Sequence, residues 1–542
     1  MTEGCRGVQV IEFDPILVHE WLARTVRRVP EKEAIICGPQ RWTYRKVAAY
    51  SDYFAESLID LGMRRQDRVV IITGNRAETV GCLYGALKAG CVFVVLSDVT
   101  KAGRLRYILG NCGAGALVAL RAQANLVEQA LNGLGRRPKV VYLESDEKLE
   151  DSATTTATDC DLTFSAIPSG DRDDNTVPDG ELPCCVDVDL ACLIYTSAST
   201  GEPKGVMCTH HNVVAAARSI IQYISNSEND IILNALPLSF DYGLYQVIMA
   251  FMFGGTVVLE RSFLYLHNIL SMISKEGVTG FPVVPTMVAM LLRMRSLEKY
   301  DLGSLRYITN TGASLPAEHI RRLQRLLPHV KIFSMFGLTE CKRVSYLRPE
   351  ELEATPSAVG RAMPNCEVSL VDEDGNRVAP GELGELVIRG SNVMQGYWGD
   401  PDLTARVYRD GGYPAARELH SGDYFRQDER GVLYFAGRID DMIKARGQRV
   451  SPKELENAIC MLEGVVEAAV VGVPDEILGE AIRVFIVRDE AKLTKEKVLK
   501  YCSENLEPLM VPKHVEFVSG LPRTLHGKVD RKKLRAWEKQ AT

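Results

Sequence analysis

What the chain lacks narrows its function first. No apolar run approaches the roughly 20 residues of a membrane-crossing helix. The longest, Val247 to Leu259, is about half that length, so membrane insertion is not expected. The opening stretch MTEGCRGVQVIEFD has no apolar core of the kind a signal peptide carries. There is no excess of positive charge: 64 Lys+Arg stand against 70 Asp+Glu, a formal charge of -6, which gives no electrostatic reason to expect a nucleic-acid partner. Cysteine occurs fourteen times but never as C-x-x-C, and the adjacent Cys184 and Cys185 cannot easily both join a disulfide framework. Reduced thiols and a cytoplasmic enzyme are expected. No G-x-S-x-G is present, so a serine hydrolase has no nucleophile motif. His210 and His211 are adjacent rather than four apart on one helix face, so no zinc site is expected. No internal repeat is evident.

What is there is a soluble-type composition, 46% hydrophobic and 25% charged, over 542 residues, too long for one ordinary core. From residue 44 the pattern alternates: a helical YRKVAAYSDYFAESLIDLG, a strand RVVIITG, a helix AETVGCLYGALKAG, a strand CVFVVL. The alternation continues through GALVAL, KVVYLES, CLIYTS, IILNALPL, GTVVLE, LRYITN and KIFSMFG, which predicts an α/β fold with parallel, helix-covered sheets. Residues 146–186 are polar and turn-rich and read as a flexible surface insertion. From about Asn365, short strands with turns (DEDGN, PGELGE) predict a small antiparallel or barrel-like unit. The last hundred or so residues mix strands and helices as a separate α+β lid. The boundary expected is 1–439 for a large N-terminal domain and 440–542 for the lid.

The stretch LIYTSASTGEPKGV, Leu193 to Val206, sets hydroxyls, glycines and a lysine directly behind an apolar run. Backbone N–H groups in such a turn form a concavity for an anion, and phosphate is the natural guest. It is not a Walker loop, because Lys204 is followed by Gly205 and has no G-x-x-x-x-G before it. On the loop alone, a solvated strand-to-helix turn is an equal reading.

The loop does not stand alone. YTSASTGEPKGV resembles the phosphate loop of the adenylate-forming superfamily, the acyl-CoA synthetases, peptide-synthetase adenylation domains and luciferases. Six further blocks follow in that family's order: TNTGASLP, SMFGLTE, GELVIRGSNVMQGYW, HSGDYF, GRIDDMIKARGQRVSPKELE and LPRTLHGKVDR. Together they cover essentially the whole chain. One departure is Ala198, where many members carry glycine, which reshapes a loop that glycine would close at positive φ.

The resemblance implies a reaction that joins a carboxylic acid to the α-phosphate of ATP, releases pyrophosphate, and passes the acyl group to the thiol of CoA or of a carrier protein's phosphopantetheine. It implies that Thr196, Ser197, Ser199, Thr200, Gly201 and Lys204 cradle phosphate, that Lys528 bridges the two anions in the transition state, and that Thr339 reaches the α-phosphate. Glu340 matches the Mg2+-binding carboxylate. Gly312, Ala313, Ser314 and Phe336 match the adenine slot, Asp423 the ribose ligand and Arg438 a second contact near it. Asp440 matches a hinge about which the lid would turn, bringing Lys528 to the site in one pose and Lys444 and Gly447 to a thiol channel in the other.

The acid is less clear. Phe240 resembles a gating aromatic; Asp241, Tyr242 and Tyr245 follow it, and Arg343 comes three residues after Glu340. Asp241 falls where adenylation domains bind an amino acid's ammonium, whereas Arg343 suits an acidic or carbonyl-bearing substrate. Three readings stay open: an acyl-CoA synthetase, a stand-alone amino-acid adenylation enzyme that loads a separate acyl or peptidyl carrier protein, and a noncatalytic nucleotide-binding regulator.

Overall fold

The structure is a computed structural model. It describes residues 14–144, 161–164, 184–196, 202–294, 297–312, 315–411, 417–445, 448–475, 479–488, 493–506, 508–523 and 529–537. A large N-terminal domain of sheets and helices is followed by a small C-terminal one.

The first sheet has seven strands, with Arg68–Ile71 beside Val92–Val95 on one side and Ala116–Leu120 on the other, all parallel. Residues 69–71 and the strand Val92–Val95 are apolar at every position because both faces of the sheet are covered. Val69 and Ile71 point into one hydrophobic core, while Val70 and Ile72 point into another. The helix between the first two strands, Ala77–Lys88, lies where the sequence places it. The helix Tyr44–Asp60 begins at Thr43, whose hydroxyl accepts the Lys46 N–H at 3.2 Å, and ends before Gly62 at φ +77. At the far edge of this sheet Asp161–Phe164 pairs parallel with Lys139–Leu143. That strand falls inside the stretch read as a surface insertion. The polar surroundings masked a four-residue strand signal. The rest of that stretch, 145–160 and 165–183, lies outside the described residues.

The second sheet has Gln40–Thr43 antiparallel to Glu33–Cys37 at one edge, then parallel strands Glu33–Cys37, Thr256–Leu259, Ile231–Asn234, Gly280–Val283, Tyr307–Asn310 and Lys331–Phe336. It then continues antiparallel through Ser345–Leu347 and Ala358–Ala362 to Leu433–Arg438, Arg417–Gln427, Leu383–Gly390 and Cys366–Val371. The late antiparallel strands expected from about Asn365 are therefore hydrogen-bonded onto the parallel sheet, fourteen strands in all. The junction is tight at Gly360, which has φ +84 and whose position would put a Cβ 1.8 Å from the Tyr346 carbonyl oxygen. The apolar run Val247 to Leu259 is the end of the buried helix Asp241–Phe253 and the strand that follows it. Among the described residues no helix is long and apolar enough to cross a membrane.

The C-terminal domain is a five-stranded sheet around Val465–Asp475 and Gly479–Arg488, with its own apolar cores about Val484 and Phe485. Its helix Pro452–Ile459 meets the large domain, where Glu454 accepts from Arg426 at 3.0 Å. Every described cysteine is a free thiol.

Candidate active site

The proposed phosphate loop joins two antiparallel strands, Leu190–Thr196 and Lys204–Thr209, with Thr196 directly opposite Lys204. Ser197, Ser199, Thr200 and Gly201 lie outside the described residues. The hairpin is held from the side by the segment around Gly396: the Met207 N–H donates to the Gly396 carbonyl at 2.9 Å, Gln395 N–H to Met207 at 2.9 Å and Trp398 N–H to Gly205 at 2.8 Å. Gly205 also lies against Tyr195, whose ring carbon would be 3.0 Å from an added Cβ.

This side pairing brings Tyr397 over the hairpin, with the Lys204 Nζ 5.8 Å from its ring centroid. The Tyr397 hydroxyl donates to Glu340 Oε1 at 2.7 Å. Burial first, and then the Glu340 charge, push the Tyr397 phenol upward, so it stays a protonated donor. Glu340 stands in the turn after Lys331–Phe336, and its own carbonyl accepts the Met394 N–H at 2.9 Å. An ammonium, a phenol and a carboxylate thus meet at the loop's end. Tyr397 was not among the sequence candidates. Its signal was its place in the GSNVMQGYW block, but nothing in that block says which side chain turns toward Glu340.

Thr339 precedes Glu340 in the turn and is half-buried. Phe336 is half-buried too, 4.9 Å from Phe425 and 6.0 Å from Phe435 between ring centroids. Gly312 has φ +84, where a side chain would be strained, and a Cβ there would come within 3.8 Å of the Phe240 ring. Ala313 and Ser314 lie outside the described residues. Asp423 and Arg438 face each other across paired strands, with Arg438 Nε 3.1 Å from Asp423 Oδ1. The arginine is 64% exposed, so this contact adds little stability by itself. Asp423 is buried, and its backbone N–H donates to the Ser421 hydroxyl at 3.1 Å.

On the acyl side, Asp241, Tyr242 and Tyr245 are all buried on the first turns of the helix that follows Phe240. The Tyr242 hydroxyl donates to the Thr309 carbonyl at 2.7 Å. Across from them comes Lys342, at φ +62, with its Nζ 3.3 Å from Asp241 Oδ2 and 4.3 Å from the Tyr245 ring centroid. Burial pushes the Lys342 ammonium down to about 7, with Asp241 opposing that shift. Arg343 is also buried, its guanidinium carbon 5.1 Å from the Tyr242 centroid. Asp241 therefore already faces an ammonium, and it belongs to the chain. The sequence reading selected Arg343 and passed over Lys342 beside it, because two adjacent cations cannot be told apart until the turn's geometry is known.

His210 is a packing residue: its buried Nδ1 accepts the Val18 N–H at 3.1 Å, and burial lowers the ring to about 4. In the small domain, Asp440 falls in the short turn Ile439–Asp441, and Lys444 pairs with Arg449 between the strands Ile443–Ala445 and Gln448–Val450. The side chains of Asp440 and Lys444, and all of Gly447 and Lys528, lie outside the described residues.

Known proteins match this arrangement along its length. The family model described as AMP-binding enzyme matches residues 22–398, and that of the AMP-binding enzyme C-terminal domain matches residues 454–528. Feruloyl-CoA synthase of an Amycolatopsis species is 32% identical over 515 residues, covering 94% of this chain and 96% of that protein. Long-chain-fatty-acid–CoA ligase of Salmonella typhimurium is 29% identical over 539 residues, covering 95% and 93%. The crystal structure of ATP-bound MatB from Rhodopseudomonas palustris superposes with a TM-score of 0.81 at 26% identity, over 96% of this chain and 98% of that one. With both family models matched in order along the chain, it belongs to the AMP-binding enzymes, the adenylate-forming superfamily.

Proposed function

We propose that the chain is a cytoplasmic acid–thiol ligase that works in two steps, with CoA as the acceptor. In the first, a carboxylate oxygen of the acid bonds to the α-phosphorus of ATP while the bond to pyrophosphate breaks. In the second, the thiol sulfur bonds to the acyl carbon, the acyl–phosphate bond breaks, AMP leaves, and the thiol proton passes to solvent. The observation that carries this reading is the meeting of Lys204, Tyr397 and Glu340 at the end of the Thr196–Lys204 hairpin. A polyanion laid there meets the Lys204 ammonium, while Glu340, held by the Tyr397 hydroxyl, is placed to face it through a cation.

Glu340 suits Mg2+, which takes one or two carboxylates together with substrate phosphate oxygens. Tyr397 engages Oε1 and so orients the group for a metal on the other oxygen. Bound there, the ion would neutralise phosphate charge. Asp423 is assigned the ribose hydroxyls, and Gly312, beside Phe240, together with Phe336, the adenine side. Lys528 is assigned the bridging charge in the first step, Gly447 and Lys444 the thiol channel in the second, and Asp440 the hinge between them. The alternative, an amino-acid adenylation enzyme loading a carrier protein, needs Asp241 for the substrate ammonium. Lys342 already occupies that carboxylate, which favours the CoA ligase.

The test separates the half-reactions. Lys528→Ala is expected to slow ATP–pyrophosphate exchange about 10²-fold to 10³-fold, the cost of one preorganised donor, and to spare thioester formation from supplied acyl-adenylate. Gly447→Leu is expected to do the reverse. Equal loss of both steps in both variants would end the two-pose reading.

A further inference from the structure

Beside the nucleotide residues lies a buried charge cluster that does not balance. Lys342 and Arg343 are each 2% exposed, and Asp241 is the carboxylate that meets them. Lys342 takes Asp241, at 3.3 Å. Arg343 has no carboxylate within 4.0 Å among the described residues, and its buried Nε has no hydrogen-bond partner there. What surrounds it is aromatic: the Tyr242 ring at 5.1 Å, and Tyr223, itself stacked on Tyr346 at 4.0 Å. The buried Tyr245 hydroxyl of the same cluster also lacks a partner among the described residues.

An isolated buried cation is among the costliest arrangements a fold can hold, and such groups are ordinarily paired. Aromatic faces and the Tyr223 hydroxyl, which Arg343 reaches by a hydrogen bond, supply part of the missing attraction, but neither carries the negative charge that would balance the guanidinium, and its Nε stays without a partner among the described residues. The cluster stands on the helix that starts at Phe240, whose ring borders Gly312, and on the turn that carries Glu340. It is therefore placed to meet the far end of an acid whose near end is activated beside Glu340.

We infer that Arg343, with Lys342, binds a second carboxylate on the substrate, so that this ligase activates dicarboxylic acids in preference to monocarboxylic acids of the same length. This rests on the acid–thiol ligase reading and names the substrate class for it. The planar fork of Arg343 matches a carboxylate with two parallel hydrogen bonds, which an alkyl or phenyl end cannot accept. A plain hydrocarbon tail would leave that guanidinium buried without a counter-charge, whereas a tail carboxylate would complete the set at two cations and two anions. Discrimination of this kind is large, because a site built to pair a polar group rejects an analogue that lacks it.

The experiment measures pyrophosphate exchange by the full-length enzyme with matched acids: hexanoate against adipate, octanoate against suberate, and benzoate against its three carboxy-substituted forms. At least one dicarboxylic acid is expected to exceed its partner in kcat/KM by about 10-fold to 150-fold, the range for hydrogen bonds to a charged group. Arg343→Met is expected to collapse that ratio toward one, and Arg343→Lys to restore part of it. Because Arg343→Met could fail to fold, the same acids are also compared by thermal shift of the unaltered enzyme with the non-cleavable analogue α,β-methylene-ATP. Greater stabilisation by the dicarboxylic acids is expected there. Monocarboxylic acids favoured or equal in both measurements would overturn the inference. Exchange with no acid, together with a thermal preference for dicarboxylic acids, would instead refute the ligase reading while leaving the subsite standing.

Discussion

Replacing Lys342 by methionine keeps the length of the side chain and removes its charge, so it isolates the Lys342–Asp241 contact. The two groups are 3.3 Å apart, with side chains 1% and 10% exposed. Removing one partner of a buried pair typically costs about 3–5 kcal/mol, because the other is left without compensation. Unfolding entropy near the melting point is about 2.1 cal/mol/K per residue, so a large domain of roughly 440 residues gains about 0.9 kcal/mol/K. The expected fall in Tm is therefore about 3–6 °C, read by calorimetry at a fixed scan rate. Asp241→Asn together with Lys342→Met removes both charges and is expected to recover most of that loss. The pH dependence carries a sign as well. Lys342 sits at about 7 when folded against an ordinary 10.5, so between those values the unfolded chain holds more protons and stability rises with pH. The penalty is complete below pH 7 and is relieved above it, by at most about 1.4 kcal/mol per pH unit. Relative to Lys342→Met, the unaltered protein should thus gain about 1–2 °C per unit from pH 7 to 9. A variant within 1 °C of the parent, with an unchanged pH slope, would refute the buried pair.

Asp423→Ala should lower kcat/KM for ATP by about 10-fold to 150-fold through lost hydrogen bonds to a charged group; an unchanged value would remove Asp423 from the nucleotide site. Tyr397→Phe deletes the donor to Glu340 and should raise the Mg2+ concentration for half-maximal exchange by about 10-fold, whereas superimposable Mg2+ titrations would show that the 2.7 Å contact has no part in orienting the carboxylate. Gly360→Ala should yield little soluble protein or a Tm several degrees lower, since it combines φ +84 with a Cβ 1.8 Å from a carbonyl oxygen; a normal melting curve would refute the tight junction there.

Much of the fold was legible because its signals are local. RVVIITG and CVFVVL read as strands since a parallel sheet covered on both faces needs apolar side chains at every position, and AETVGCLYGALKAG reads as the helix between them. The residues assigned to the nucleotide were named through blocks whose order the chain keeps. The remainder depends on contacts between distant segments. Nothing in the strand Ala358–Ala362 announces that it will pair with Leu433–Arg438 and carry an antiparallel unit onto a parallel sheet. Asp241 and Lys342 are 101 residues apart, and Tyr397 and Glu340 are 57 apart. Composition near Glu340 shows two cations in a row, but only the left-handed turn at Lys342 decides which of them reaches the aspartate.

The lateral pinning of the Thr196–Lys204 hairpin also sets an order in time. The strand after the loop takes its outer partners from residues around 395–398, and Asn212 just beyond it reaches 181 residues ahead to the Val393 carbonyl. A ribosome adding roughly 5–20 residues per second needs on the order of ten seconds or more to supply that stretch after the loop has emerged. Until then the hairpin has one open flank, and Glu340, Tyr397 and Asp423 do not all exist beside it. If nucleotide binds where it is proposed to, a nascent chain gains nothing from it while its first sheet is forming, and ATP would stabilise only a large domain whose synthesis is almost finished.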